Sequence, residues 1–331
     1  MTGLKRAPHL GFLGTGWIGR HRMERLAEAG CEVAAVADTC EEMAREAAKS
    51  APNARIVTRY EDLLEMDLDG MVIATPSALH AEQSIRALQA GLPVFCQKPL
   101  GRTAGEVQRV IEAACNKDLL LGVDFSYRFT RGIRQIYELI STGEIGELYA
   151  VDLTFHNAYG PDKAWFYDPL LSGGGCVMDL GVHLVDLALW IQGFPPVAQV
   201  TSRLYQNGRA VHDSTAQVED YALARLDLEN GVSVQLQCSW KLPVGADCLI
   251  NASFFGSKGG LSFRNINGSF YDFVTERFIG TRREILSEPP DSWGGRAAVA
   301  WAEKLSHSPR FDPEAQHLLA VSTAIDAIYS R

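Results

Sequence analysis

Residues 9–38 impose the tightest constraint on this chain: an apolar strand, a glycine-rich turn, a helix, a second strand and an aspartate follow one another without interruption. The strand is His9–Leu13 and the turn is Gly14-Thr15-Gly16-Trp17-Ile18-Gly19. Arg20–Ala29 then has a helical pattern, and Glu32–Ala37 leads to Asp38. Gly14 permits a tight turn, Gly16 lets the backbone approach a pyrophosphate, and Gly19 lets helix and strand pack closely. The helix opening at this point offers amide N–H groups and its positive dipole end to phosphate. Asp38 stands where an acid meets the adenosine ribose hydroxyls. A bare GxGxxG says little, but in this setting it predicts a dinucleotide site made of Gly14, Thr15, Gly16, Trp17, Ile18, Gly19 and Asp38. A carboxylate at residue 38 accepts hydrogen bonds from the 2′-hydroxyl of NAD and repels the 2′-phosphate of NADP. Thr39 and Cys40 bring no arginine to that strand end. NAD is therefore expected and NADP disfavoured.

The same alternation continues to about residue 123. Apolar runs at 70–74, 93–96 and 119–123 alternate with helical patterns at 42–49, 79–90 and 104–116. Short continuous apolar runs mark buried parallel strands, so a doubly wound α/β sheet with helices on both faces is predicted. Ligands of such sheets bind beyond the carboxyl ends of the strands. Thr75, Pro76, Ser77, Gln97 and Lys98 occupy that edge and, with His80 just inside the following helix, join the expected cofactor set; Asp124 shares the edge.

At 331 residues the chain exceeds the ~250–300 at which a single core stops growing. The expected division is 1–125 for the nucleotide domain and 126–331 for a second, α+β domain. In the second part a helix at 131–141 and a strand at 147–156 precede a glycine-rich loop and a long helix near 174–192. Strand-like runs follow at 197–206, 216–228, 232–241, 247–255, 259–264 and 269–274, and a helix at 314–330 closes the chain and is a candidate to pack back on the first domain. Turn signals such as Glu229-Asn230-Gly231 separate some of the runs, so a large, mostly antiparallel sheet is expected. A net charge of −9 argues against nucleic acid or an anionic membrane as partner. Seven scattered cysteines without a CxxC fit reduced thiols in a cytoplasmic protein. Met1–Pro8 lack an apolar core for a signal peptide, and no run reaches the ~20 apolar residues of a membrane span.

The second informative stretch is Gly173-Gly174-Gly175-Cys176-Val177-Met178-Asp179-Leu180-Gly181-Val182-His183-Leu184-Val185-Asp186. On an α-helix Asp179, His183 and Asp186 share a face while Leu180, Leu184 and Leu187 fall on another, and Gly181 leaves room for a ligand. A histidine titrates near neutrality, and a carboxylate one turn away orients its ring. Such a pair suits taking a proton from an alcohol as hydride leaves the same carbon. The three could also ligate a metal, but no further cluster supports that and none is expected. His156, Asn157, Tyr159 and Trp165, on the strand end and loop before the glycines, are candidate substrate contacts. Arg128 could meet a substrate anion or pair with a surface acid.

Taken together, the Gly14–Gly19 fingerprint, Gln97-Lys98-Pro99 and Gly173–Asp186 resemble the glucose–fructose oxidoreductase/inositol dehydrogenase/rhizopine catabolism (Gfo/Idh/MocA) family over nearly the whole chain. The resemblance implies a Rossmann domain, a C-terminal domain with a large open sheet, and homodimers or homotetramers packed through that sheet. It also implies interconversion of a secondary hydroxyl and a ketone on a sugar, sugar derivative or cyclitol. Lys98 matches the family's Glu-Lys-Pro lysine, and Asp179 and His183 match its Asp-x-x-x-His pair, with all three in catalysis. Tyr127-Arg128-Phe129 resembles the segment lining the nicotinamide region, which places Tyr127 and Arg128 with His156, Tyr159, Trp165, Asp179 and His183 as substrate residues. Gln97 departs from the family's usual glutamate: an amide still hydrogen-bonds but brings no negative charge beside Lys98. The competing expectations are a dinucleotide-binding sensor without hydride transfer, and a reductase of a bilin, imine or dihydrodiol.

Overall fold

Leu10, Phe12, Val36, Met71, Val72, Ile73, Val94 and Phe95 are buried whichever face of their strand they occupy, as parallel strands covered by helices require. The computed structural model describes residues 6–331; residues 1–5, part of the stretch read above for a signal peptide, lie outside them. In chain order the first elements are β1 (His9–Leu13), α1 (Trp17–Glu28), β2 (Glu32–Ala37), α2 (Glu41–Ala48), β3 (Arg55–Val57), α3 (Tyr60–Leu64), β4 (Gly70–Ile73), α4 (Ser77–Gln89), β5 (Val94–Cys96), α5 (Ala104–Lys117) and β6 (Leu121–Val123). The strands form a six-stranded parallel sheet in the order β3-β2-β1-β4-β5-β6. The order reverses beside β1, and the Gly14–Gly19 turn leaves the carboxyl end of that strand, the switch point of a Rossmann sheet.

The rest of the chain supplies α6 (Arg131–Ser141), β7 (Leu148–Asn157), α7 (Pro169–Ser172), a π-helical turn (Val177–Gly181) running into α8 (Val182–Trp190), β8 (Val197–Gln206), β9 (Arg209–Ala210), β10 (Tyr221–Leu228), β11 (Ser233–Ser239), β12 (Cys248–Gly256), β13 (Gly259–Asn265), β14 (Phe273–Ile279), β15 (Arg282–Ser287), α9 (Arg296–His307) and α10 (Leu318–Tyr329). Nine strands make one sheet in the order β15-β14-β13-β12-β7-β11-β10-β8-β9. Only β7 and β11 pair in parallel. β10 shows the period of a one-faced sheet: Ala222, Ala224, Leu226 and Leu228 are buried, while Leu223 and Arg225 are exposed. α6 packs against β13–β15, and α8 and the π-helical turn pack against β7 and β11.

The chain divides into two compact units, one holding the residues up to Ser126 together with Gly294–Leu318, the other Tyr127–Trp293 with Leu319–Arg331. The segment returning to the nucleotide unit is α9, and the terminal α10 lies with the second unit from residue 319 onward. α9 lacks an apolar period in the sequence because its buried face is largely alanine (Ala297, Ala298, Ala302). Its anchor is Trp301, whose ring lies 5.7 Å from that of Phe95 and fills space above Gly70 and Gly122 that a Cβ would invade. The Pro169–Trp190 segment has the length and hydropathy of a membrane span, contrary to the composition argument, yet 83% of its most apolar window is buried inside the protein, as in a core helix.

Candidate active site

On the nucleotide unit, Thr15 donates from its backbone N–H (2.7 Å) and its hydroxyl (3.0 Å) to Asp38 Oδ2, while Cys40 N–H donates to Oδ1 at 2.9 Å. Asp38 thereby ties the glycine turn to the end of β2. A Cβ on Gly14 would strike the backbone of Ala74 and Thr75, and one on Gly19 would overlap the Gly14 carbonyl, whereas one on Gly16 would meet nothing within 4 Å. No side chain caps α1. Open space at Gly16, an uncapped helix start and an acid at the end of β2 fit a dinucleotide, with the phosphates over residues 16–19.

Beyond β4 and β5 lie the loops of Thr75 and Gln97, the first running into α4 with Ser77 and His80. His80 is buried, with Nδ1 at 2.7 Å from the Pro99 carbonyl oxygen and Nε2 at 2.6 Å from that of Thr75. The ring lies between the two loops, and since burial lowers its pKa the neutral imidazole donates to one of these carbonyls at a time. Thr75 donates its hydroxyl to Gln83 Oε1 at 2.6 Å, and Ser77 is buried at the start of α4. Gln97 points inward and donates from Nε2 to Asp124 Oδ2 at 2.6 Å, where Arg22 Nε also donates at 2.5 Å. The carboxylate missing at residue 97 is thus present one strand over, at Asp124, compensated by a buried arginine. Lys98 is half-buried and is followed by a cis peptide bond to Pro99.

In the second unit the helix of Asp179 and His183 is not a regular α-helix. Its first stretch is a π-helical turn over Val177–Gly181, and such turns concentrate at functional sites. The extra residue per turn splits the polar face predicted from α spacing. Asp179 accepts from the indole N–H of Trp240 (3.1 Å), while Asp186, fully buried, accepts from Arg128 Nε (2.7 Å) and from a second Arg128 nitrogen. Burial raises the Asp186 carboxyl, against the guanidinium that pulls it down. Arg128 is therefore engaged by a buried acid, where pairing with a surface acid was one expectation. Its guanidinium also lies over Trp190 and Phe194. Gly181 faces the sheet, not a ligand: a Cβ there would press on Cys238 Sγ at 3.2 Å.

His183 is nearly buried, with Tyr127 edge-on to its ring at 5.0 Å. Burial among Phe155, Phe273 and Trp293 pushes the Tyr127 phenol far up, so it stays neutral. His156 lies on β7 with Nδ1 2.8 Å from Ser239 Oγ and its ring stacked on Tyr221, and burial lowers its pKa. Asn157 ends the same strand. Tyr159 is exposed beside Asp247, and Trp165 stacks on Phe166 at 3.8 Å. Phe166 and Tyr167 in turn set their edges against Trp240. Trp240 stands just past β11, 61 residues from its partner Asp179, a separation at which sequence spacing carries no signal. Among the described residues no three His, Cys, Asp or Glu side chains are grouped as metal ligands.

A Rossmann sheet with an open glycine turn, joined to a unit with a large open sheet, defines a dinucleotide-dependent oxidoreductase architecture. Residues 9–125 match the family described as "Oxidoreductase family, NAD-binding Rossmann fold", and residues 133–262 match "GFO/IDH/MocA C-terminal domain". The chain is 28% identical over 276 residues to D-glucoside 3-dehydrogenase of Escherichia coli K12, covering 77% of this chain and 78% of that protein. It is 30% identical over 256 residues to inositol 2-dehydrogenase of Acidiphilium cryptum, covering 76% and 72%. A solved structure of GenD2 from gentamicin A biosynthesis in complex with NAD superposes with a TM-score of 0.82 at 22% identity, over 99% of this chain and 95% of that one. The chain belongs to the Gfo/Idh/MocA family of oxidoreductases, and its cofactor domain is of the NAD-binding type.

Proposed function

We propose that the protein is an NAD-dependent dehydrogenase that interconverts a secondary hydroxyl and a ketone on a sugar, sugar derivative or cyclitol. What supports this is an NAD-type turn tied to Asp38 in one unit and, in the other, Asp179 on the π-helical turn with His183 in α8 directly after it. Relatives named for a glucoside and for inositol support the substrate class.

NAD would be held by the Gly14–Gly19 turn, Asp38 and the loops at Thr75–Ser77 and Gln97–Lys98, and when bound it supplies the hydride acceptor. His183 takes the hydroxyl proton as general base and returns it in the reverse direction. Lys98 donates a hydrogen bond to the reacting oxygen and polarises the ketone. Asp179, fixed by Trp240, orients the imidazole or a neighbouring hydroxyl. Tyr127, His156, Tyr159 and Trp165 are proposed to line the substrate side, and a homodimer or homotetramer is proposed through the open sheet. The protein is expected to work in a reducing cytoplasm, consistent with its seven free thiols.

The test is a panel of sugars, amino sugars, nucleotide sugars and inositols with NAD, read at the reduced-nicotinamide band. A signal with at least one polyol is expected. Tight NAD binding without any signal would leave a sensor as the better description.

A further inference from the structure

We infer that Glu219, acting with Tyr329, is a positioning residue that fixes the segment carrying Asp179 and His183; this rests on the function proposed above. Glu219 is wholly buried and stands just before β10. Its carboxylate accepts from Gly175 N–H at 3.1 Å (Oε1) and 3.0 Å (Oε2), from Val177 N–H at 2.9 Å, and from the Tyr329 hydroxyl at 2.8 Å. Its backbone carbonyl accepts from Cys176 N–H at 3.1 Å. The Tyr329 oxygen accepts from Met178 N–H at 3.2 Å. Four consecutive amides, 175–178, are therefore taken by two residues distant in sequence.

These are the amides that a helix start leaves without internal partners, and a carboxylate is the group its positive dipole end favours. A buried carboxylate without donors would be costly, so its retention at this point needs the donors it has. The glycine triplet is shaped to this clamp. A Cβ on Gly174 would overlap the Tyr329 ring and hydroxyl, and one on Gly175 would overlap the Glu219 carbonyl. Asp179 follows directly on the clamped amides, and its own N–H donates to the Gly175 carbonyl at 3.0 Å. A π-helical turn is rare in isolation. Here its entry is held on one side by Glu219, just before β10, and on the other by Tyr329 at the end of α10, so the clamp sets where Asp179 and His183 stand.

The test compares the parent protein with Glu219→Gln and Tyr329→Phe, measuring kcat and KM for an active polyol, NAD affinity by fluorescence titration, and hydrogen exchange of the 174–183 amides. Misplacing a reacting group by ~1 Å costs on the order of 10²-fold, which is the fall in kcat expected for Glu219→Gln, with a smaller fall for Tyr329→Phe. NAD affinity should stay at the parental value while the 174–183 amides exchange faster. Parental kcat and exchange in both variants would overturn the inference, as would a kcat loss matched by lost NAD affinity, which marks general damage. A parent that binds NAD but oxidises no polyol would strike the proposed function instead. Exchange at 174–183 then still decides the clamp: faster in both variants supports it, unchanged overturns it.

Discussion

Two glycine-rich turns open helices in this protein, and they use their glycines for opposite purposes. In the nucleotide unit the space at Gly16 is open and no side chain caps α1. In the second unit the space at Gly174 and Gly175 is filled by Tyr329 and Glu219, and the helix-start amides are already bonded to them. A glycine run before a helix is therefore not by itself an anion site. What matters is whether the protein supplies its own acceptor, and only the first turn leaves that place to a ligand.

The largest effects test the chemistry that this division of labour serves. Lys98→Ala and His183→Ala should each lower kcat by ~10²–10⁴-fold, the usual worth of a placed proton-transfer group, while NAD titration stays parental. Near-normal turnover in either would remove that residue from the mechanism. Gly175→Ala should cost ~1–3 kcal/mol or more in unfolding free energy, because its methyl meets backbone that cannot yield. A melting temperature equal to the parent's would put the two turns on the same footing. Asp38→Ala removes a charged acceptor worth ~1.5–3 kcal/mol, so NAD affinity should fall at least tenfold and the preference over NADP should shrink. The gentlest change is Gly16→Ala. Stability should move by less than ~0.5 kcal/mol, as at an unencumbered surface site, while NAD binding weakens measurably. Loss of stability without loss of binding would contradict the open-turn account.

Much of the first unit was legible because its evidence is local. The fingerprint, the acid at Asp38 and the short apolar runs of β1, β4 and β5 all lie within windows that one element fills. The first unit hid one helix too: α9, which returns to it late in the chain, buries alanines that carry little hydrophobic signal. The second unit hid more, for identifiable reasons. β15 is an exposed edge strand, Arg282–Ser287, without apolar alternation. The π-helical turn breaks the period on which the Asp179–His183–Asp186 face was drawn. Glu219, Trp240 and Tyr329 support the site from 44, 61 and 151 residues away, a distance over which spacing rules carry nothing. His80 marks the boundary between the two cases: its element was foreseeable, but the inward turn of its ring depends on the carbonyls of Thr75 and Pro99.

The most direct test follows a label on the reacting carbon. An active polyol deuterated at the carbinol position is incubated with enzyme and NAD, and the reduced cofactor is recovered for mass spectrometry. Deuterium on the nicotinamide ring is predicted, in the parent protein and far more slowly in His183→Ala. Ketone formation with no deuterium on the recovered cofactor would contradict hydride transfer, and with it the function proposed for this site.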